Sequence, residues 1–233
     1  MKIGIIGAME VEVARLVREM DAAREVTKAG MHFYEGKLGG TEVVVVRCGI
    51  GKVSAGMCVQ ILCDLFGVTH VINTGIAGSL DNEINIGDVV VSIDAMYHDL
   101  DATGLGFEPG QVPYLDTFSF AADETLRKAA VKACKEVAPE IGVFEGRIVS
   151  GDQFIGDRSK KESIAAMSGA LCTEMEGAAI AQAAYLNGIP FVIVRAISDK
   201  ADESVQVSYE EFGPKAAEHC ASIVENMVKA FQD

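Results

Sequence analysis

The chain has 233 residues, about half of them apolar and few aromatic, which suits one large folded domain without disulfide or metal staples. A domain of this size buries roughly 70–75% of the surface that its unfolded chain exposes. A net charge of -14 argues against nucleic-acid backbones and anionic membranes as partners.

No apolar run reaches the ~20 residues of a membrane span. The N-terminal run Ile3 to Met9 is too short for a signal peptide and is closed by Glu10 and Glu12, so the expectation is a soluble cytoplasmic protein. The six cysteines, Cys48, Cys58, Cys63, Cys134, Cys172 and Cys220, form no C-x-x-C pair and read as reduced core residues. The histidines, His32, His70, His98 and His219, are scattered and suggest no metal cluster.

In chain order, "KIGIIGAM" reads as a short buried strand that hands over to the helix "EVEVARLVREM", where Met9, Val13, Leu16, Val17 and Met20 share a face. "MHFYEGKLGGTEVVVVRC" reads as a hairpin turning at Gly39-Gly40. Val53 to Phe66 is an apolar helix, "THVINTG" a buried strand and "GDVVVSIDAMYHD" another. His98 to Ala121 holds three glycines and two prolines without periodicity, a loop long enough to suggest function or contact with a partner. Asp123 caps a helix to about Val137, and "EGRIVSGD" is a strand. Ser159 with Glu162, and Ser208 with Glu211, have capping-box spacing; the second opens a final helix to Phe231. Between them lie a small-residue helix, an Asn-Gly break and the strand "PFVIVRAI". Continuous Val/Ile runs alternating with helices predict a single α/β domain over residues 1–233, with a mixed, mostly parallel twisted sheet flanked by helices on both faces.

Ligands of such sheets bind where the strands end. The segments following the strands are "GAMEVE", "CGIGKVS", "NTGIAGS", "DQFIGD" and "SDKAD". Taken singly they are weak: tight-turn glycines, a helix-dipole residue at Glu12, a cap at Asp199. "GIGKVS" matches neither a dinucleotide fingerprint nor a Walker loop. Arg195 is harder to dismiss, because a guanidinium inside an apolar strand needs a partner such as Glu12, Glu176 or a ligand. Acidic groups and one arginine at converging strand ends, without histidine or metal, point to acid–base chemistry by carboxylates on a small polar molecule. "LCTEMEGAA" leaves Glu174 and Glu176 open. If extended, the two share a face; if helical, they are about 200° apart and only one reaches a ligand.

The ordered motifs "IGIIGAMEVEV", "GIGKV", "NTGIAG", "VSGDQFI", "EMEGAAIA" and "VRAISD" resemble the 5′-methylthioadenosine/S-adenosylhomocysteine nucleosidases of the nucleoside phosphorylase/hydrolase superfamily, over nearly the whole chain. The resemblance implies hydrolysis of the N-glycosidic bond of adenosine thioethers, without metal or cofactor, by a homodimer. It implies that Glu12 activates water and that Asp199, helped by Ser198, protonates adenine N7. Glu176 would hold the ribose hydroxyls beside Met175, Phe154 would stack on adenine, the Ile155 backbone would read its edge, and Gly78 would lie against the nucleoside. Arg195 would orient the carboxylates and water, and Glu174 is left structural. Ile50 and Tyr209 would line the 5′-thio side, closed by Leu105, Phe107 and Pro113 of the partner subunit, and Met9 would also touch the substrate. Ile76 departs from the pattern, because many members carry serine there.

Three rivals remain at this point. A phosphorylase on the same fold would need a cationic phosphate site, yet the first loop carries Glu10 and Glu12 and no arginine before Arg15. An aminodeoxyfutalosine nucleosidase would share the motifs. A binding protein without turnover would not need Glu12 and Asp199 together.

Overall fold

The computed structural model of the chain describes residues 1–232, with Gln206 and Val207 described by backbone alone. In chain order the elements are β1 (Lys2–Gly7), α1 (Glu10–Arg18), β2 (Asp21–Lys28), β3 (Met31–Leu38), β4 (Thr41–Arg47), α2 (Lys52–Phe66), β5 (His70–Ser79) and β6 (Val89–Tyr97). Then follow β7 (Phe120–Ala121), α3 (Glu124–Val137), β8 (Val143–Ser150), α4 (Arg158–Ser168), β9 (Cys172–Glu174), α5 (Gly177–Leu186), β10 (Phe191–Asp199) and α6 (Val205–Val228).

The strands form one mixed sheet. β4, β1, β5 and β10 lie side by side and parallel, and β3 and β2 extend this row antiparallel beyond β4. On the other side β10 pairs antiparallel with β6, β6 and β8 run parallel, and β8 pairs with β9. β9 then returns antiparallel to β5, so this half of the sheet curls closed instead of remaining an open edge. The accumulated strand twist permits the closure, and three-residue β9 is short enough to bridge it.

Strands buried on both faces read as continuous apolar runs, and β1 shows why. Ile3 and Ile5 belong to the core on the side of α1, α3 and α6, which also holds Leu16, Leu126 and Val224. Ile6 faces the layer of α2 and α5, against Leu62 and Ile180. Helices therefore cover both faces, as the alternation of elements requires. Among the described residues no helix is long and apolar enough to cross a membrane.

Local expectations and structure part in four places. β2, "DAAREVTK", carries no apolar alternation because it is a mostly exposed edge strand held by its backbone pairing to β3. Met9 precedes α1 with extended backbone and Met20 follows its end, so both lie outside the helix, although they pack against the same core as Val13, Leu16 and Val17. α4 is capped by Asp157, whose carboxylate accepts from Lys160 N at 2.8 Å, and Ser159 is already helical. α6 begins a turn before Ser208, whose own amide donates to Ser204 O at 3.1 Å, so Ser208 is interior rather than a cap.

The Asp157 cap is directly testable. Asp157→Ala is expected to lose about 1 kcal/mol of stability in urea denaturation, and Ser159→Ala almost none. The reverse ranking would return the cap to Ser159.

Candidate active site

The ends of β1, β5 and β10, together with the loops after β4 and β8 and the corner between β9 and α5, enclose one cavity. Glu12, Glu176, Asp199, Arg195 and Ser198 all line it. So do Gly78, Ile155 and Met175, and at the rim Met9, Ile50, Phe154 and Tyr209. The side chains expected from sequence at the strand ends are thus brought together by the fold. Leu105, Phe107 and Pro113 are not in its wall; they stand in the segment between β6 and β7, with Leu105 72% exposed.

Arg195 is the centre of the site, at 1% exposure. Its Nη2 donates to Glu174 and to Asn73 Oδ1 (2.7 Å) and lies 3.5 Å from Glu176 Oε2. Its Nη1 donates to Ile76 O at 3.2 Å and lies 3.9 Å from Glu12 Oε1. The three carboxylates hold the guanidinium firmly protonated, against burial that would favour its neutral form. The register of β10 on β5 sets Arg195 opposite Gly75. A side chain at Gly75 would run into both Glu12 and Arg195, so glycine is required there by contact as well as by its positive φ.

Glu12 and Glu176, the partners that the sequence suggested, are thus both paired with Arg195, but its nearest carboxylate is Glu174. Glu174 also accepts from Ser150 Oγ and from the amides of Glu176 (3.1 Å) and Gly177 (2.8 Å), which are the first free donors of α5. It anchors the arginine and caps the helix at once. Nothing in the local pattern reveals this role, because it depends on β9 reaching β5 and β8. The one available signal is that a buried arginine demands an anion.

The four carboxyls have different surroundings. Glu12 takes the amides of Ala8 (2.7 Å), Met9 (2.9 Å) and Ile76 (3.0 Å). Burial nevertheless raises its pKa, with Arg195 and those amides opposing. Glu176 accepts from Gly51 N at 2.9 Å, and burial together with the neighbouring Glu174 pushes its carboxyl up to about 7. Asp199 sits beyond a β-bulge: Ile197 pairs with Ala77 and Asp199 with Gly78, leaving Ser198 as the extra residue. In a regular strand the side chains of 198 and 199 would point to opposite faces; the bulge lets both line the cavity. Ser198 Oγ donates to Asp199 Oδ2 and Ala201 N to Oδ1, both at 2.8 Å. Burial raises the Asp199 pKa, with these donors opposing, Asp202 adding and Lys161 subtracting. The nearly buried Lys161 ties down the following residue by donating to Lys200 O (2.8 Å) and Asn82 Oδ1 (3.1 Å).

The rim is apolar. Phe154, 59% exposed, meets the Tyr209 ring edge-on at 5.8 Å, and Tyr209 Oη donates to Met9 Sδ at 3.1 Å. Ile76 presents its amide to Glu12 and its apolar side chain to the cavity.

Glu174→Ala would leave the buried Arg195 with more distant anions only. The expected loss is about 3 kcal/mol in equilibrium unfolding, well beyond that of an exposed glutamate. A loss below about 1 kcal/mol would remove Glu174 as the anchor.

The phosphorylase superfamily model matches residues 2–229 of this chain. The 5′-methylthioadenosine/S-adenosylhomocysteine nucleosidase of Geobacillus sp. (strain WCH70) is 42% identical over 233 residues, covering 100% of both chains. The structure of the nucleosidase of that name from Neisseria meningitidis, in complex with methylthio-immucillin-A, superposes with a TM-score of 0.95 at 38% identity, covering 98% of this chain and 99% of that one. The futalosine hydrolase of Helicobacter pylori strain 26695 superposes with a TM-score of 0.92 at 32% identity, covering 98% and 97%. The chain belongs to the phosphorylase superfamily and, within it, to the 5′-methylthioadenosine/S-adenosylhomocysteine nucleosidases.

Proposed function

We propose that this enzyme hydrolyses the N-glycosidic bond of 5′-methylthioadenosine and S-adenosylhomocysteine, releasing adenine and a 5-thioribose, in methionine salvage and methyl-cycle detoxification. The observation that carries the reading is one cavity holding two buried carboxyls with raised pKa, Glu12 from the first turn of α1 and Asp199 from the end of β10. Cleavage of this bond needs a base for water on one side of the sugar and an acid for the leaving group on the other.

The N9–C1′ bond breaks with its electron pair going to adenine, while a water oxygen bonds to C1′. Glu12 takes a proton from that water, and its raised pKa makes it a stronger base than an exposed carboxylate. Asp199 gives its proton to adenine N7, with Ser198 orienting the carboxyl through Oδ2. Glu176 holds the ribose hydroxyls through the edge it does not give to Gly51, and with Glu12 it stabilises the positive charge developing on the ring. Phe154 stacks on adenine, Ile155 reads its edge through the backbone, Gly78 leaves room for the nucleoside, and Met175 lies beside the sugar.

Water rather than phosphate fits this site, because Arg195 is already engaged by Glu174, Glu176 and Glu12. A phosphate dianion would meet a net negative wall. The likeness to the futalosine hydrolase supports a second reading, cleavage of 6-amino-6-deoxyfutalosine by the same carboxyls. Rates on methylthioadenosine, S-adenosylhomocysteine, 5′-deoxyadenosine and aminodeoxyfutalosine in phosphate-free buffer decide between the two.

We further infer a cytoplasmic homodimer. Val53 (74% exposed) and Met57 (47%) form an apolar stripe on α2, and Leu105 (72%) and Tyr114 (86%) are as open. Closure of one subunit's thio pocket by Leu105, Phe107 and Pro113 of its neighbour gives these side chains a use.

Glu12→Gln and Asp199→Asn are each expected to lower kcat at least about 100-fold with the fold intact by circular dichroism. Wild-type kcat should fall as pH rises through the raised pKa of Asp199, since the acid is then lost. A near-normal rate in either variant would reassign the roles. Val53→Glu combined with Met57→Lys should turn a sedimenting dimer into monomer and depress activity. A wild-type monomer at micromolar concentration would overturn the shared pocket.

A further inference from the structure

The catalytic cavity meets a second, open cavity of about 510 Å³ at Ala8, Met9 and Ile50, which line both. The outer cavity is formed by the start of α1, the β2–β3 turn at Ala29 and Gly30, the end of β4 and Ser54 of α2. Apolar Met9, Ile50 and Met31 contribute to its wall, and so does one charged pair. Arg47 Nη1 lies 3.6 Å from Glu10 Oε2. Both side chains are well exposed, 49% and 70%, so the pair is weak and open to rearrangement around a ligand. Among the described residues lining this cavity, Arg47 is the one cation and Glu10 the one acid. The other cations described near the catalytic cavity are committed, Lys52 to Asp99, Lys161 to Lys200 O and Asn82 Oδ1, and Arg195 to its three carboxylates.

We propose that this outer cavity is the subsite for a zwitterionic α-amino acid carried on the 5′-thio substituent, its carboxylate on Arg47 and its ammonium on Glu10. The inference rests on the nucleosidase reading, in which the thio substituent leaves the ribose beside Met9 and Ile50. A homocysteinyl tail is a thioether, two methylenes and then one charge of each sign. The apolar wall takes the first part. The Arg47–Glu10 pair takes the second, forming an alternating square in which every charge faces its opposite. The zwitterion carries no net charge, so the overall -14 of the chain does not repel it. A methylthio group ends before the charged pair and gains nothing from it. Arg47 therefore sorts substrates by what they carry beyond sulfur, without touching the reacting bond.

The test compares two substrates on one variant. In Arg47→Gln, KM for S-adenosylhomocysteine should rise about threefold, the loss of one solvent-exposed charge pair. Its kcat on that substrate, and both constants on methylthioadenosine, should be unchanged. Arg47→Lys should recover most of the loss. Added salt should raise KM for S-adenosylhomocysteine in the wild type and leave it unaltered in Arg47→Gln. An equal change on both substrates, or no change on either, overturns the subsite while leaving the nucleosidase reading in place. A wild-type protein that hydrolyses neither overturns both.

Discussion

One guanidinium, buried to 1% exposure among the carboxylates of Glu12, Glu174 and Glu176, sets the terms for the rest of the site. Bringing three carboxylates into one apolar interior is strongly unfavourable by itself, and so is burying an arginine; each is tolerable only because of the other. The arrangement reaches outward through shared atoms. Glu174 that anchors Arg195 also caps α5, and Asn73 that accepts from its Nη2 also donates to Ile6 O in β1. Glu12 ties the first turn of α1 to the amide of Ile76 in β5. The geometry of the cavity and the joining of β1, β5, β9 and β10 are therefore the same set of hydrogen bonds.

Within that frame the acidic side chains of one cavity divide by environment. Glu174 is spent on structure, with donors on both oxygens. Glu176 gives one oxygen to Gly51 and keeps the other near Arg195. Asp199 stands apart, on a bulge, with a serine and an amide for company and burial raising its proton affinity. Such separation is what allows one carboxyl to accept a proton while another delivers one. From this charged interior the site passes to an apolar rim at Met9, Ile50, Phe154 and Tyr209, suited to a thioether.

Much of this was present in the amino-acid sequence. Runs such as "KIGIIG" and "FVIVRAI" identify doubly covered strands because period and composition are local properties. The rule that ligands sit at strand ends points to the segments that hold Glu12, Gly78, Ser198 and Asp199, and the fold brings all four to one cavity. The apolar surroundings of Arg195 announce that it needs an anion. What stayed out of reach depends on chain segments far apart. β2 has no apolar alternation, because an edge strand is held by its backbone. The cap of α4 moved from Ser159 to Asp157, whose carboxylate meets the free amides first, and α6 starts a turn before Ser208 without a side-chain cap.

The roles of Glu174 and Glu176 mark the boundary. Sequence by itself determined that two carboxylates flank Met175 at the start of an alanine-rich helix, and that a buried arginine waits on another strand. The resemblance implies which of the two is structural, but only tertiary structure supplies the physical reason. The chain is extended to Glu174, and β9 pairs with both β5 and β8 before α5 begins at Gly177. That three-residue strand has no periodicity to read, and its position is set by the closing of the sheet. Its placement sets Glu174 nearest Arg195 while Glu176, also in the cavity wall, lies 3.5 Å from the guanidinium, because a guanidinium pairs most closely with the carboxylate that the fold brings nearest.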